Sequence, residues 1–204
     1  MSATTRGRTC LWQTLGVRIV ALALITLVAC EEPAPPCPVG ALDLPARADA
    51  IRARLASRPE GAALIASVRD HVGRICFSDG PSVVDEETHA VVLDRALGEG
   101  EAAARLGHLL VHVRDGSPYR DGPDCDVVVA RALDAEARAH ALELELRRAL
   151  SVTPDVLRYE LEDAFWAAPQ SERVALVRVY LASHPDGAPG IDALASGYRD
   201  RCER

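Results

Sequence analysis

Apolar residues recur every three to four positions through most of the chain after position 45, a spacing typical of helices. Two short apolar runs, 75–77 and 90–93, instead suggest strands, and the turn-forming sequence Asp79-Gly80-Pro81 separates them. The pattern therefore predicts an α+β fold, mainly helical, with a small sheet in its first half. The predicted helices cover about 45–57, 59–72, 101–114, 127–150, 154–166, 169–184 and 191–198.

The first thirty residues have the pattern of an export signal rather than of a folded segment. The basic residues Arg6, Arg8 and Arg18 precede an uncharged, nearly all-apolar run at 19–29. This run is too short to span a bilayer. The sequence Leu27-Val28-Ala29-Cys30 resembles the bacterial lipobox. The resemblance implies that Cys30 is diacylated and begins the mature protein; the alternative is an ordinary secretory signal in which this cysteine is incidental.

The lipobox resemblance sets the expected organisation and location. We predict a signal peptide at 1–29, a lipidated cysteine with a proline-rich linker at 30–44, and one globular domain at 45–204. The acyl chains on Cys30 would make the membrane a partner of the protein, because each buried methylene contributes about 0.8 kcal/mol. The expected location is the bacterial cell envelope, and Glu31 after the cysteine favours the outer membrane.

The charge balance excludes one class of partner. Removing the leader takes away three of the 23 basic residues and none of the 30 acidic ones, so the net charge falls from −7 to −10. Nucleic-acid binding requires clustered positive charge, and we therefore expect no nucleic-acid partner.

Four cysteines belong to the predicted linker and domain: Cys37, Cys76, Cys125 and Cys202. An even number in an exported protein indicates disulfides, and the absence of a C-x-x-C pair argues against a thiolate zinc site. Three pairings are possible. We favour Cys37–Cys202, which would join the two ends of the domain, together with Cys76–Cys125.

Candidate chemistry is concentrated on the helix predicted at 101–114. His108 and His112 are one helical turn apart, so both can bind one metal ion. The H-E-x-x-H motif of zinc proteases has the same spacing but places a general base, glutamate, after the first histidine; this chain has Leu109 there. Without metal, the two histidines would be polar or boundary residues of an amphipathic helix.

The surrounding segments resemble the gluzincin class of zinc metallopeptidases over about 88–148. In that class an edge strand precedes the H-E-x-x-H helix, and a glutamate on a later helix is the third ligand; Glu136 has that place here. The resemblance implies a zinc ion bound by His108, His112 and Glu136, with water in the fourth position. His140 shares a helix face with Glu136 and is an alternative ligand or a packing residue, while Glu136 could instead be a solvated surface charge.

The substitution at Leu109 determines the expected function. Loss of a general base typically reduces a rate by about 10²–10⁴-fold, so we expect no catalytic residue and little or no peptidase activity. The leading hypothesis is a membrane-anchored lipoprotein with a degenerate metallopeptidase domain that has a binding or structural role, with or without a zinc ion. The sequence does not identify a protein or peptide partner. The alternatives are an active zinc-dependent hydrolase with an unconventional base and a helical envelope lipoprotein without a metal site.

Overall fold

Helices dominate the described part of the chain, as the apolar periodicity predicts. The computed structural model describes residues 36–119, 124–152, 161–187, 191 and 193–204, all within one unit, Ala34–Arg204. The predicted leader, Cys30 and the Thr153-Pro154 helix start lie outside these ranges. The helices are α1 (Pro45–Ala56), α2 (Pro59–Val68), α3 (Glu99–Asp115), α4 (Cys125–Ala149), α5 (Leu161–Ala167), α6 (Arg173–Ser183) and α7 (Leu194–Cys202), with a 3₁₀ turn at Gln170–Glu172.

A three-stranded sheet confirms the predicted small sheet in the first half. Its strands are β1 (Arg74–Ser78), β2 (Val83–Asp85) and β3 (Ala90–Asp94), in the order β1-β3-β2. β3 pairs in parallel with β1 and antiparallel with β2. β3 is therefore the central strand, whereas the gluzincin resemblance implied an edge strand before the metal helix. Sequence analysis did not predict β2, which is only three residues long.

α3 is the central helix of the domain. Every residue from 102 to 111 except Arg105 is buried, so the helix is covered nearly all round. It packs against α1, α2 and α4, and its leucines at 106, 109 and 110 belong to the main hydrophobic core. A helix this enclosed can bury polar side chains only where a neighbouring element supplies partners for them.

α4 connects two apolar clusters. Its start is capped by the Asp124 carboxylate, which accepts hydrogen bonds from the amides of Asp126 and Val127 at 3.1 and 3.3 Å. One side of α4 lies against α3, and the other packs with Phe165 of α5 and Val177 of α6 in a second cluster. The polar residues of α4 that face α3 are consequently enclosed.

The two disulfides correct the favoured pairing. They join Cys37 to Cys76 and Cys125 to Cys202, so the pairing Cys37–Cys202 with Cys76–Cys125 is wrong. The backbones of Leu42 and Phe77 exchange two hydrogen bonds of 2.7 and 3.0 Å, which aligns the segment before α1 along β1 and brings Cys37 to Cys76. The end of α7 lies beside the start of α4 instead of beside the N-terminal segment.

Candidate metal site

Four potential metal ligands converge where α3 packs against α4. α3 contributes His108 and His112, and α4 contributes Glu136 and His140. The two residues of each pair are four positions apart, which places them one above the other on a single helix face. The close packing of the two helices then brings the pairs together.

The ligand atoms are within 4 Å of their neighbours. His108 Nε2 lies 3.1 Å from His112 Nε2 and 3.5 Å from Glu136 Oε2. Glu136 Oε2 also lies 3.3 Å from His112 Nε2 and 3.8 Å from His140 Nε2. His108, Glu136 and His140 form a buried group that could hold a metal ion.

These separations are short enough for the side chains to share one metal ion. Ligands about 2.0–2.1 Å from a tetrahedral zinc are about 3.3–3.4 Å from one another. The His108–His112 separation and the three separations between an imidazole nitrogen and Glu136 Oε2 run from 3.1 to 3.8 Å and bracket that value. Three imidazole nitrogens and one carboxylate oxygen are also a donor set that zinc accepts.

The cluster is buried and strongly polarised. Burial disfavours the charged form of His108, but the nearby carboxylates of Glu136 and Glu143 outweigh this and raise the pKa of His108. Burial also opposes ionisation of Glu136, yet its contacts with His108 and His112 hold the pKa of this carboxyl well below its usual range. Burial, with the charge on His108, lowers the pKa of His140 to about 4, so this imidazole is neutral at pH 7.

Glu143 and Arg105 form a second layer behind His108. Glu143 is only 3% exposed, and its Oε2 lies 2.9 Å from His108 Nδ1 and 3.2 Å from a guanidinium nitrogen of Arg105. A carboxylate at Nδ1 favours a proton on that nitrogen and leaves the Nε2 lone pair directed toward the ligand cluster. Despite the cost of burial, the charges of His108 and Arg105 lower the pKa of Glu143 to about 2.

Tyr198 of α7 approaches the cluster from another side. Its hydroxyl donates a hydrogen bond of 3.1 Å to Glu136 Oε1, while Glu136 Oε2 faces the imidazoles. Burial and the neighbouring Glu136 carboxylate raise the pKa of Tyr198, so the phenol stays protonated as a donor. Both oxygens of Glu136 therefore have defined neighbours.

The structure brings together the three residues that the sequence selected, His108, His112 and Glu136. It adds His140, which sequence reasoning had left open as a ligand or a packing residue. The alternative in which Glu136 is a solvated charge is wrong, because this side chain is 5% exposed. Sequence analysis did not select Glu143; its position three residues after His140 on the same helix face is the signal that would have identified it.

Leu109, which replaces the glutamate of the H-E-x-x-H motif, belongs to the apolar core of the domain. Its side chain is buried in the main hydrophobic core with Leu106 and Leu110. A glutamate at position 109 would place a carboxylate among apolar side chains.

Comparisons of the chain with protein-family models, curated proteins and solved structures found no match.

Proposed function

We propose that this chain is an exported lipoprotein whose domain binds one zinc ion through His108, His112, Glu136 and His140 and has no peptidase activity. The observation that carries the proposal is the convergence of three imidazole Nε2 atoms and one carboxylate oxygen between α3 and α4. In the absence of a cation, this arrangement buries Glu136 and requires a proton between the Nε2 atoms of His108 and His112, which lie 3.1 Å apart. A divalent cation satisfies all four groups at once.

The ligand number supports a binding or structural role. Structural zinc sites have four protein ligands, whereas catalytic sites have three and keep one position for water or substrate. With His140 as a fourth ligand, the position that a gluzincin gives to water is filled by protein. The apolar environment of Leu109 supports the same conclusion, since no carboxylate lies there to accept a proton. A degenerate gluzincin-like ancestry is part of this proposal.

The donor set favours zinc over the hard cations. Calcium and magnesium prefer six or more oxygen ligands, often including water, whereas this cluster offers one carboxylate and three imidazoles. Imidazole ligands also accept copper, nickel and iron. The short separations from Glu136 Oε2 to the three imidazoles are, however, compatible with the tetrahedral geometry that is usual for zinc.

The test is zinc stoichiometry in the oxidised full chain. The protein is stripped with a chelator, reloaded with Zn²⁺, desalted and analysed for metal. We expect one zinc per chain in the wild type and none in His108→Ala/His140→Ala, while His71→Ala, a substitution at an exposed histidine, keeps its zinc. Equal zinc content in the wild type and the double variant would contradict the site.

Activity is tested on the same zinc-loaded protein. Incubation with a mixture of peptides, followed by mass spectrometry, should show no cleavage beyond that of the His108→Ala/His140→Ala variant. Zinc-dependent cleavage by the wild type alone would contradict the assignment and favour a working hydrolase.

The lipid anchor is the second part of the proposal and rests on the lipobox-like sequence ending at Cys30. Within the described residues, no helix combines the length and apolar character needed to cross a bilayer. We expect the wild type in the membrane fraction with an acylated N-terminal Cys30 peptide by mass spectrometry, and Cys30→Ser in the soluble fraction. A Cys30→Ser variant that remains with the membranes would contradict the anchor.

A further inference from the structure

α7 contacts the metal cluster through Tyr198 but has little apolar packing of its own. None of the residues in Leu194–Cys202 is buried, although Leu194 and Ala195 contact the second apolar cluster from partly exposed positions. Helices in globular proteins are held in place mainly by an apolar face. The position of α7 must therefore depend on other interactions.

The noncovalent polar contacts of α7 are exposed or few. Arg199 pairs with Asp126 at 2.7 Å, but the two side chains are 45% and 84% exposed, and such surface pairs stabilise little. The Tyr119 hydroxyl donates to the Tyr198 carbonyl at 3.4 Å, and the Tyr198 hydroxyl contacts Glu136. Ser196 also donates an exposed hydrogen bond of 2.9 Å to the Pro185 carbonyl. α7 is in addition held covalently, by the disulfide between Cys202 at its end and Cys125 at the start of α4.

We propose that α7 is a redox-sensitive clamp on the metal site: Tyr198 positions the ligand Glu136, and reduction of Cys125–Cys202 releases the helix and speeds loss of the metal. This inference rests on the proposed zinc site. With the disulfide intact, Tyr198 holds Glu136 Oε1 and directs Oε2 toward the imidazoles. When α7 detaches, Glu136 loses that donor and the cluster becomes open to water and competing ligands.

The two disulfides differ in accessibility, which makes the response selective. Cys125 and Cys202 are both partly exposed, whereas the other disulfide has one partly exposed cysteine, Cys37, and one fully buried cysteine, Cys76 in β1. A dithiol reductant supplies both electrons: its thiolate attacks one sulfur of Cys125–Cys202, forming a mixed disulfide and releasing the other cysteine as a thiolate that takes up a proton. The second thiol of the reductant then attacks the mixed disulfide, leaving a cyclic disulfide and a second free cysteine.

The experiment measures zinc transfer from the loaded full chain to a chromophoric chelator, with and without prior treatment by a dithiol. We expect transfer to be about 10- to 100-fold faster after reduction, the range typical of losing an outer partner of a metal ligand. Cys125→Ser/Cys202→Ser should transfer zinc fast without reductant and gain nothing from it. Cys37→Ser/Cys76→Ser is the matched control and should respond to the dithiol as the wild type does.

Tyr198→Phe separates positioning from general loss of structure, because it keeps the disulfide and removes one hydroxyl. This variant should transfer zinc faster than the wild type while oxidised, with an unchanged far-UV circular dichroism spectrum. Equal transfer rates for oxidised and reduced wild type, both starting at one zinc per chain, would overturn the clamp and leave the zinc site standing. An oxidised wild type that holds no zinc would overturn both.

Discussion

Glu143 has no solvent to compensate its charge, and its position behind His108 gives a direct prediction. Glu143→Gln keeps the side-chain shape but removes the negative charge beside His108 Nδ1, which makes the imidazole a weaker donor to the metal. We expect zinc affinity to fall about tenfold, measured by competition with a chelator of known affinity. Glu145→Gln, on the same helix but paired with Arg173 away from the cluster, is the control, and equal losses in the two variants would argue against this role.

Gly107 allows α3 and α4 to approach beside the ligands. A Cβ added at Gly107 would lie 2.4 Å from Cδ1 of Leu146, which is buried in the core, so Leu146 or the helix has to move. We expect Gly107→Ala to lower the free energy of unfolding by about 1–3 kcal/mol in a urea titration and to weaken zinc binding.

The control for Gly107 is a second helical glycine in open surroundings. Gly197 on α7 has nothing within 4 Å of its would-be Cβ. Gly197→Ala should therefore stabilise the protein by up to about 1 kcal/mol. Restored stability and zinc affinity in Gly107→Ala/Leu146→Val would confirm the steric cause, whereas a Gly107→Ala protein as stable as the wild type would rule it out.

At the scale of elements, the apolar periodicity predicted where most helices lie along the chain, but it did not predict which elements pack together. The predicted helix at 127–150 corresponds to α4 at Cys125–Ala149, because a long apolar repeat and a capping aspartate mark its extent. The helix expected at 191–198 is instead α7 at Leu194–Cys202, a short element without a buried face to set its limits. β2 has three residues, too few for an alternation to be recognised.

Some residues of the candidate site could be predicted from the sequence and others could not. His108 and His112 could be found because their spacing along one helix is itself the signal, and Glu136 entered through the resemblance. The roles of Glu143 and Tyr198 depend on which faces of α3, α4 and α7 meet. Local sequence does not contain that information, since side chains far apart in the chain determine it.

The C-terminus of α4 provides a prediction about one element. Arg54 donates to the carbonyl of Leu150 at 3.0 Å and Arg58 donates to that of Ala149, so two cations satisfy carbonyls at the negative end of the helix. We expect Arg54→Met/Arg58→Met to lower the free energy of unfolding by about 1–3 kcal/mol.

Arg52 supplies the control for that pair of arginines. It lies on α1, as Arg54 does, but it pairs with Asp49 at 2.9 Å on the surface. Arg52→Met should change stability by less than about 0.5 kcal/mol in the same urea titration. If the double variant is no less stable than Arg52→Met, the two carbonyl contacts do not stabilise α4.

At the scale of the whole molecule, the disulfides were the least predictable feature. Four cysteines fix the number of possible pairings but not the choice among them, which follows from two tertiary contacts: the Leu42–Phe77 bridge and the docking of α7 on α4. The second disulfide closes a sequence separation of 77 residues. By the loop-entropy relation it contributes about 4–5 kcal/mol through the unfolded state.

The polarised cluster makes the stability of the metal-free protein depend on pH. A histidine in the unfolded chain has a pKa near 6.5, whereas His140 in the folded protein has a pKa of about 4. Lowering the pH from 6.5 to 4 therefore favours the unfolded state. The lowered pKa of Glu143 causes a further loss of stability as the pH falls from its ordinary pKa of 4.5 to about 2. The raised pKa of His108 acts on the alkaline side. Its contribution to stability is complete below pH 6.5 and disappears as the pH rises through the pKa that His108 has in the folded protein.

Urea titrations of the metal-free, oxidised protein from pH 3 to 9 should therefore give a highest midpoint near pH 6.5. Zinc competes with protons for the imidazoles. Saturating zinc should therefore increase the urea midpoint more at pH values above 6.5 than at lower pH values, and it should move the pH of highest stability upward. In Glu143→Gln the metal-free midpoint should fall less steeply between pH 4.5 and 3, since no carboxylate at position 143 remains to be protonated. If the urea midpoint of the metal-free protein does not change between pH 7 and 4, the pKa values of the buried histidines and glutamates are not shifted by folding, which contradicts the prediction.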